Sequence, residues 1–336
     1  MMGVDVIVVT RNHAATLPAT LRSLAEQSWP PRRVVVVDNA SADASVACAE
    51  GFAGTLPLVV VRQPSNTGFA AAINEGLRRT SAPWVLSLNP DCRLAPDFLA
   101  ELVAAAERLG AGAASGLLLR GRGAALEPTE VVDSAGMVVT AAGRHLDRGA
   151  GGPLRDSYRR PAWVFGASGA AALYRRAALA DVAYPGDEVF DEGFFAYRED
   201  ADLAWRLQRR GWRCLFWPRA VAWHARGFKP EGGRGGYPDI NRHSVRNRFL
   251  LRWGNADWRW HVACFPWWLV RDALVVTACL TVERSSLPGL REAVAAWRQQ
   301  RARGRSNRRR ATVNGWRLAR WFLPGGQVRA LEGPCE

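Results

Sequence analysis

No two of the six cysteines, Cys48, Cys92, Cys214, Cys264, Cys279 and Cys335, are spaced as Cys-x-x-Cys, and no metal-ligand cluster surrounds them. That pattern excludes a finger-type zinc site and gives no disulfide framework, so the thiols read as reduced and mostly buried. Long apolar runs are also missing. Val262–Val270 and Ala273–Leu280 are split by Arg271 and Asp272, and each half falls far short of the ~20 residues a spanning helix needs. At the start, apolar Val4–Val9 opens directly into Thr10-Arg11-Asn12-His13 without the pattern of a secretory leader, which makes the cytoplasm the expected location. Gly110-Ala111-Gly112 follows a helical stretch and lacks the remaining glycine spacing, which argues against a dehydrogenase.

What is present is a 336-residue chain, 48% hydrophobic, long enough for a large core. We expect a catalytic domain over 1–226, with halves 1–95 and 96–226, and a helical, basic region over 227–336. The net charge of +14 is concentrated late: Arg298, Arg301, Arg303, Arg305, Arg308, Arg309, Arg310, Arg317 and Arg320 occur without one acidic residue among them. Such a block calls for an anionic partner or is a solvated helix and tail. The preceding Trp258–Val282 stretch is rich in Trp, Phe and Leu, which favours an anionic lipid surface over nucleic acid. Trp258, Trp260, Trp267 and Trp268 would suit the headgroup level, although they suit a core as well. Peripheral association with the inner face of the cell membrane is therefore expected.

The first hundred residues alternate strand and helix signals, the pattern of parallel strands with crossover helices. Val4–Val9, Val34–Val37, Leu56–Val61 and Trp84–Leu88 read as strands. Leu17 to Gln27, a segment opened by Ser41-Ala42-Asp43, and Phe69 to Thr80 read as helices. Ligands of open sheets bind beyond the carboxyl ends of the strands, and Thr10, Arg11, Asn12, Asp38, Asn39, Asn89 and Asp91 all fall there. After a helix to about Leu109 the pattern loosens through Arg160. It tightens again at Gly166-Ala167-Ser168-Gly169. Phe190 to Leu207 then holds five carboxylates among aromatic residues. Asp200 or Glu199 suits a general base, and acidic residues at a helix start also suit capping. Trp212–Trp217 and Ala220–Trp223 read as two short strands joined by Pro218-Arg219 and ending at His224.

Taken in order, Val8-Val9-Thr10-Arg11-Asn12, Val36-Val37-Asp38-Asn39-Ala40-Ser41-Ala42-Asp43, Asn66-Thr67-Gly68-Phe69-Ala70, Leu88-Asn89-Pro90-Asp91, Gly166-Ala167-Ser168-Gly169 and Glu199-Asp200-Ala201-Asp202-Leu203 with His224 resemble the successive motifs of family 2 glycosyltransferases. His243-Ser244-Val245-Arg246-Asn247-Arg248 is similar, more weakly, to a segment of rhamnosyltransferases of polysaccharide assembly. The resemblance implies a GT-A fold: a Rossmann-like mixed α/β sheet flanked by helices, here with a C-terminal helical basic extension. It implies that Thr10, Arg11, Asn12, Asp38, Asn66, Gly68 and Asn89 bind the nucleotide, with Asp38 accepting a hydrogen bond from the base. Asp91 and His224 would hold Mg²⁺ or Mn²⁺ on the diphosphate. Asn89 departs from the family's Asp-x-Asp signature, and we expect it to bond the ribose or Asp91. Asp200 would be the base of an inverting displacement, with Glu199 beside it. Tyr197, Trp205 and Asp202 are candidates for the acceptor sugar, with packing and capping as their alternatives. The implied partners are a nucleotide-diphosphate sugar, with dTDP-rhamnose first and a UDP sugar such as galactofuranose or N-acetylglucosamine second, and a polysaccharide or lipid-linked acceptor. Replacement of the first acid by Asn89 leaves a catalytically silent binding subunit as the other reading.

Overall fold

In the computed structural model residues 3–226 and 238–331 are described, and they form an α/β protein around an eleven-stranded mixed sheet. The order along the main path is Val328–Ala330, Ala162–Val164, Cys214–His224, Ala113–Arg122, Ala171–Arg175, Trp84–Leu88, Val4–Thr10, Arg33–Asp38 and Leu58–Arg62. The last four strands are mutually parallel, as expected. Every residue of Val4–Thr10 and Trp84–Leu88 is buried, which is why these strands read as continuous apolar runs without alternation. Leu17, Leu21 and Leu24 pack the Leu17–Ala25 helix on one face of the sheet, while Ile73 and Leu77 of the Phe69–Arg78 helix pack on the other.

Two expectations change. The loosely patterned stretch after Leu109 contains Ala113–Arg122, a ten-residue strand between Cys214–His224 and Ala171–Arg175. Its Ala, Gly and Leu residues carry little of the β-branched signature of strands, yet both its neighbours bury it. The two short strands expected around Pro218 are instead one, Cys214–His224, whose pairing with Ala113–Arg122 shifts register between Trp217 and Val221. An irregularity of this kind is where a strand tolerates a proline, which has no N–H for the ladder.

Beyond the sheet, the Pro238–Asn255, Trp267–Thr281 and Leu287–Arg309 helices share a small core of Val245, Phe249, Val275, Cys279 and Ala293. The chain then returns Val328–Ala330 to the sheet beside Ala162–Val164. The arginine block expected to be free is partly consumed here. Arg303 pairs with Glu188 at 2.9 Å and Asp191 at 2.7 Å, and Arg308 donates to the Ala256 carbonyl at 3.1 Å. Five cysteines are free thiols; Cys335 lies outside the described residues.

Candidate active site

A cleft of about 940 Å³ opens at the carboxyl ends of the parallel strands. Thr10, Arg11, Asn66, Gly68, Asn89, Asp91, Tyr197, Glu199, Asp200 and His224, drawn from five separate stretches of sequence, all line it. The register of the sheet explains part of this convergence. His224 stands opposite Cys92 in the antiparallel pair that Cys214–His224 makes with Cys92–Leu94, and the Ala225 amide donates to the Asp91 carbonyl at 2.9 Å. Residues 91 and 224 therefore meet because two strands pair.

On the donor side, the loops fasten one another. The Asn39 side chain donates to Asn66 Oδ1 at 3.0 Å and accepts from the Thr67 amide at 2.9 Å, while Asn66 Oδ1 also accepts from the Gly68 amide at 3.1 Å. Asp38 lies behind the lining, paired in register with Thr10 and only 4% exposed. One of its oxygens accepts from the Ser41 amide at 3.2 Å, while Oδ1 is buried without a hydrogen-bond partner, and so is Thr10 Oγ1. A buried acceptor left open is costly unless something completes it. Asn12 is exposed and outside the lining of the cleft; its side-chain oxygen accepts from the Ala42 amide at 2.7 Å and holds the loop. Gly68, at φ 84°, lines the cleft and also makes room for protein: an added Cβ would stand 2.6 Å from the Phe195 carbonyl oxygen.

The side of the cleft that carries Asp200 begins with a loop in which Phe195, Tyr197 and Arg198 all have positive φ, at 62°, 70° and 74°. Left-handed backbone at non-glycine residues persists only where surroundings enforce it. Here the enforcement comes from the Pro238–Asn255 helix. Asn247, fully buried, points its amide at the carbonyls of Phe194, Ala196 and Tyr197 at 2.9, 2.8 and 2.7 Å, and Arg246 Nη2 donates to the Gly193 carbonyl at 3.0 Å. The loop leads into the Glu199–Arg209 helix, whose first turn carries Glu199 and Asp200. Asp200 accepts from the Ala201 amide at 2.7 Å and the Gly169 amide at 3.2 Å. A Cβ at 169 would lie 3.2 Å from Asp200 Oδ2, which gives the Gly-Ala-Ser-Gly stretch its physical reason. Burial, with nearby Asp147, raises Asp200 to about 6. Burial and the charge of Asp200 push Glu199 further, to about 8.

Tyr197, 44% exposed, stays at the rim of the cleft. Trp205 and Asp202, the other acceptor candidates, are core residues instead. Trp205 is 2% exposed, with its ring centroid 4.7 Å from that of Phe322 and 5.7 Å from that of Trp260. Asp202 is sealed between Arg206 Nε at 2.8 Å and the Asn255 amide at 2.6 Å. Both lie on the side of the helix packed against the C-terminal region, through Asn255 and Trp260, and are closed off from the cleft.

Asp91 and His224 face each other, with Nε2 3.3 Å from Asp91 Oδ1. Behind the imidazole, Nδ1 is 2.8 Å from Oδ2 of fully buried Asp133, and Asp133 is in turn 2.8 Å from Arg226. Burial opposes a charged imidazole, but the two carboxylates outweigh it and raise His224 to about 9. Burial likewise pushes Asp91 up, and the hydrogen bond and charge of His224 overcome it, leaving the carboxyl below its ordinary value. Asn89 reaches His224 Nε2 at 3.4 Å rather than Asp91. Among the described residues no three His, Cys, Asp or Glu side chains form a complete metal cage. Asp91 and His224 fit a divalent ion as two of its ligands, with Asp133 fixing the imidazole from behind in the manner of outer-shell carboxylates. Asp133, Asn247 and His145, another cleft residue, were not singled out as site residues from the sequence.

The model of glycosyl transferase family 2 matches residues 5–183. The chain belongs to that family. It is 26% identical to the N-acetylglucosaminyl-diphospho-decaprenol L-rhamnosyltransferase of Mycobacterium tuberculosis, over 84% of this chain and 93% of that protein. It is 22% identical to the poly-beta-1,6-N-acetyl-D-glucosamine synthase of Staphylococcus epidermidis, over 66% of this chain and 49% of that one. Among solved structures, the mannosyltransferase PcManGT from Pyrobaculum calidifontis, in complex with GDP-Man and Mn²⁺, aligns with a TM-score of 0.52 at 21% identity, over 93% of this chain and 86% of that one. S. aureus TarS 1–349 in complex with UDP-GlcNAc aligns at 0.54 and 19%, over 92% and 90%. These likenesses carry the GT-A fold. As a family 2 member the protein is a glycosyltransferase that uses a nucleotide sugar.

Proposed function

We propose that this enzyme transfers a hexose, rhamnose from dTDP-rhamnose in the first instance, to a lipid-linked or polysaccharide acceptor with inversion at the anomeric carbon. The observation that carries the chemistry is the placement of Asp200 in the same cleft as the Asp91–His224 pair, with its carboxyl raised toward neutrality. The choice of rhamnose rests on likeness to the mycobacterial rhamnosyltransferase over nearly its whole length. A UDP sugar is the second donor, supported by the N-acetylglucosamine synthase relative.

In this reading the open oxygen of Asp38 receives the N–H of a pyrimidine base, a pairing a carboxylate makes well. Thr10, Arg11, Asn66 and Asn89 line the donor's path. A divalent ion held by Asp91 and His224, Mg²⁺ or Mn²⁺, would supply positive charge where the leaving diphosphate accumulates negative charge. The acceptor hydroxyl attacks the anomeric carbon as the bond from that carbon to the diphosphate oxygen breaks, and Asp200 takes the hydroxyl proton. A base with a proton affinity near 6 is ionised at neutral pH and still accepts a proton usefully. Glu199, buried and raised to about 8, remains protonated there and leaves the negative charge on Asp200.

The exposed apolar side chains of the C-terminal helices, Trp258, Val262, Phe265, Trp267, Val270 and Leu274 among them, support residence at a membrane surface. Exposed Arg291, Arg298, Arg301 and Arg305 would face anionic lipid. No helix among the described residues is long and apolar enough to cross a membrane.

A panel of nucleotide sugars read by thermal shift with and without Mn²⁺ tests the donor, since a bound ligand stabilises the fold in proportion to the logarithm of its excess over Kd. Asp200→Asn should retain that shift and lose transfer and donor hydrolysis by about a thousandfold. Donor binding without turnover in the unmodified protein would instead identify a silent binding subunit.

A further inference from the structure

A second cavity, of about 570 Å³, adjoins the cleft. His145 and Arg226 line both, so the two spaces share a border. Its place in the fold is fixed by the stretch that also holds Asp200. Met137–Val139 pairs with His145–Asp147 as a two-stranded hairpin, and the Met137 amide donates to the Gly166 carbonyl at 2.8 Å. Three residues on, the Gly169 amide donates to Asp200 at 3.2 Å. Alternation along the His145–Asp147 strand turns its two end residues to one side, and both line the cavity. The volume falls within the roughly 300–1,000 Å³ of pockets that hold small ligands.

The lining is polar, but its inner charges are balanced, which sets it apart from an anion site. Arg226 pairs with Asp147, and its Nε stands 2.8 Å from Asp133. Arg155, the other cation of the lining, is exposed to solvent, where its charge is screened. His145 is pushed down to about 3 by burial and by Arg198, Arg144 and Arg248, and is therefore neutral. Tyr158 adds an aromatic ring and a hydroxyl. Gly149, at φ 81°, leaves room for that ring: an added Cβ would stand 2.8 Å from Tyr158 Cζ. Leu146 contributes apolar surface. A carboxylate, a guanidinium, an imidazole and a phenol offer both donors and acceptors beside apolar area, a set that matches a neutral ligand with many hydroxyls on an aliphatic ring. We propose that this cavity is a subsite for a second acceptor sugar, the neighbour of the one whose hydroxyl faces Asp200, so that the acceptor is a glycan of two or more units. The inference rests on the transferase reading and narrows its acceptor class. A one-sugar acceptor would occupy the cleft and leave the second cavity to water.

The probe is an array of neutral one-, two- and three-unit saccharides of rhamnose, galactose, mannose, glucose and N-acetylglucosamine, read with the full-length protein in the presence of dTDP or UDP plus Mn²⁺. The best saccharide of two or three units should bind about tenfold more tightly than any single sugar, the gain expected when a further ring is buried in a formed pocket. Ala150→Trp adds a ring at the exposed lining of the cavity and touches no residue of the cleft. It should cut that preference to about twofold or less, while nucleotide affinity stays within about twofold of the parent protein and shows the variant to be folded. Tyr158→Ala, checked in the same way, should have the same effect and serves if Ala150→Trp does not fold. The inference is overturned by single sugars that bind as tightly as longer ones, by a protein that binds nucleotide but no glycan, or by full preference retained in a folded variant. Absence of nucleotide binding in the parent protein would sink the transferase reading instead, which keeps the two failures apart.

Discussion

The two walls of the cleft are built by different means. On the donor wall Asn12, Asn39, Ser41 and Asn66 tie neighbouring loops together, with bonds that span about thirty residues of chain or fewer. On the catalytic wall the backbone of 195–198 is left-handed at three non-glycine positions, and Asn247, some fifty residues on, holds its carbonyls. The donor wall is locally self-sufficient, whereas the catalytic wall is a strained loop clamped by the C-terminal helices. A chain built this way can vary its acceptor side by altering those helices without disturbing the nucleotide site.

Asn247→Ala is the sharpest way to break that comparison. It removes the donor that three carbonyls share and leaves the loop free to relax, which displaces Asp200. Misplacement by about an ångström costs on the order of a hundredfold in rate, so kcat should fall by roughly that factor while the donor KM stays within about threefold. Asn12→Ala should do the opposite, raising donor KM a few-fold with kcat nearly intact. Steady-state kinetics on both variants decides, and an unchanged kcat in Asn247→Ala would remove the clamp from the account.

Where the walls meet, Asp133→Asn tests the support of His224. The substitution keeps the shape but weakens the partner of Nδ1, and loss of such a partner typically costs about 10- to 100-fold in metal affinity or activity. The expected result is a rightward shift of that size in the Mn²⁺ activation curve, with nucleotide binding in the absence of metal unaltered. Acidification then probes the catalytic wall alone. In the proposed reaction Asp200 must be ionised to accept a proton, and burial raises it from 3.8 to about 6. Activity should therefore climb with pH and level off above 6, dropping about tenfold per pH unit below it. In Asn247→Ala, where water gains access, that limb should move toward lower pH.

The same contrast decides what could be read from the sequence. The donor wall was legible because parallel strands buried on both faces appear as apolar runs and their ends announce themselves with polar residues. Asp91, His224 and Asp200 are expected in the site by resemblance alone; the structure brings all three to one cleft, the first two through strand register. Asn247 sat in a motif noticed only as a likeness, since nothing in one sequence says that an asparagine will reach back to carbonyls fifty residues earlier. Asp133 lay in the stretch that looked patternless, because the strand beside it is mostly Ala, Gly and Leu. Trp205 and Asp202 misled for a related reason: helix periodicity gives the spacing of side chains but not which face the late C-terminal helices will cover.

The smallest expected effect lies one residue from Asp200, the proposed base, and appears in stability rather than rate. Glu199 is 8% exposed, its Oε2 has no hydrogen-bond partner, and burial beside Asp200 moves its proton affinity from 4.5 to about 8. The unfolded chain loses this proton near 4.5 and the folded protein only near 8, so the neutral carboxyl's contribution is intact below 4.5 and is lost as pH rises through 8. Glu199→Gln cannot ionise. It should therefore match the parent protein's denaturant midpoint at pH 4.5 and exceed it progressively up to about pH 8, by on the order of 1 kcal/mol per pH unit. A gap that stays constant across this range would mean that Glu199 is ionised and solvated in the folded state, and the catalytic wall would then hold two charged carboxylates where the proposed chemistry needs one.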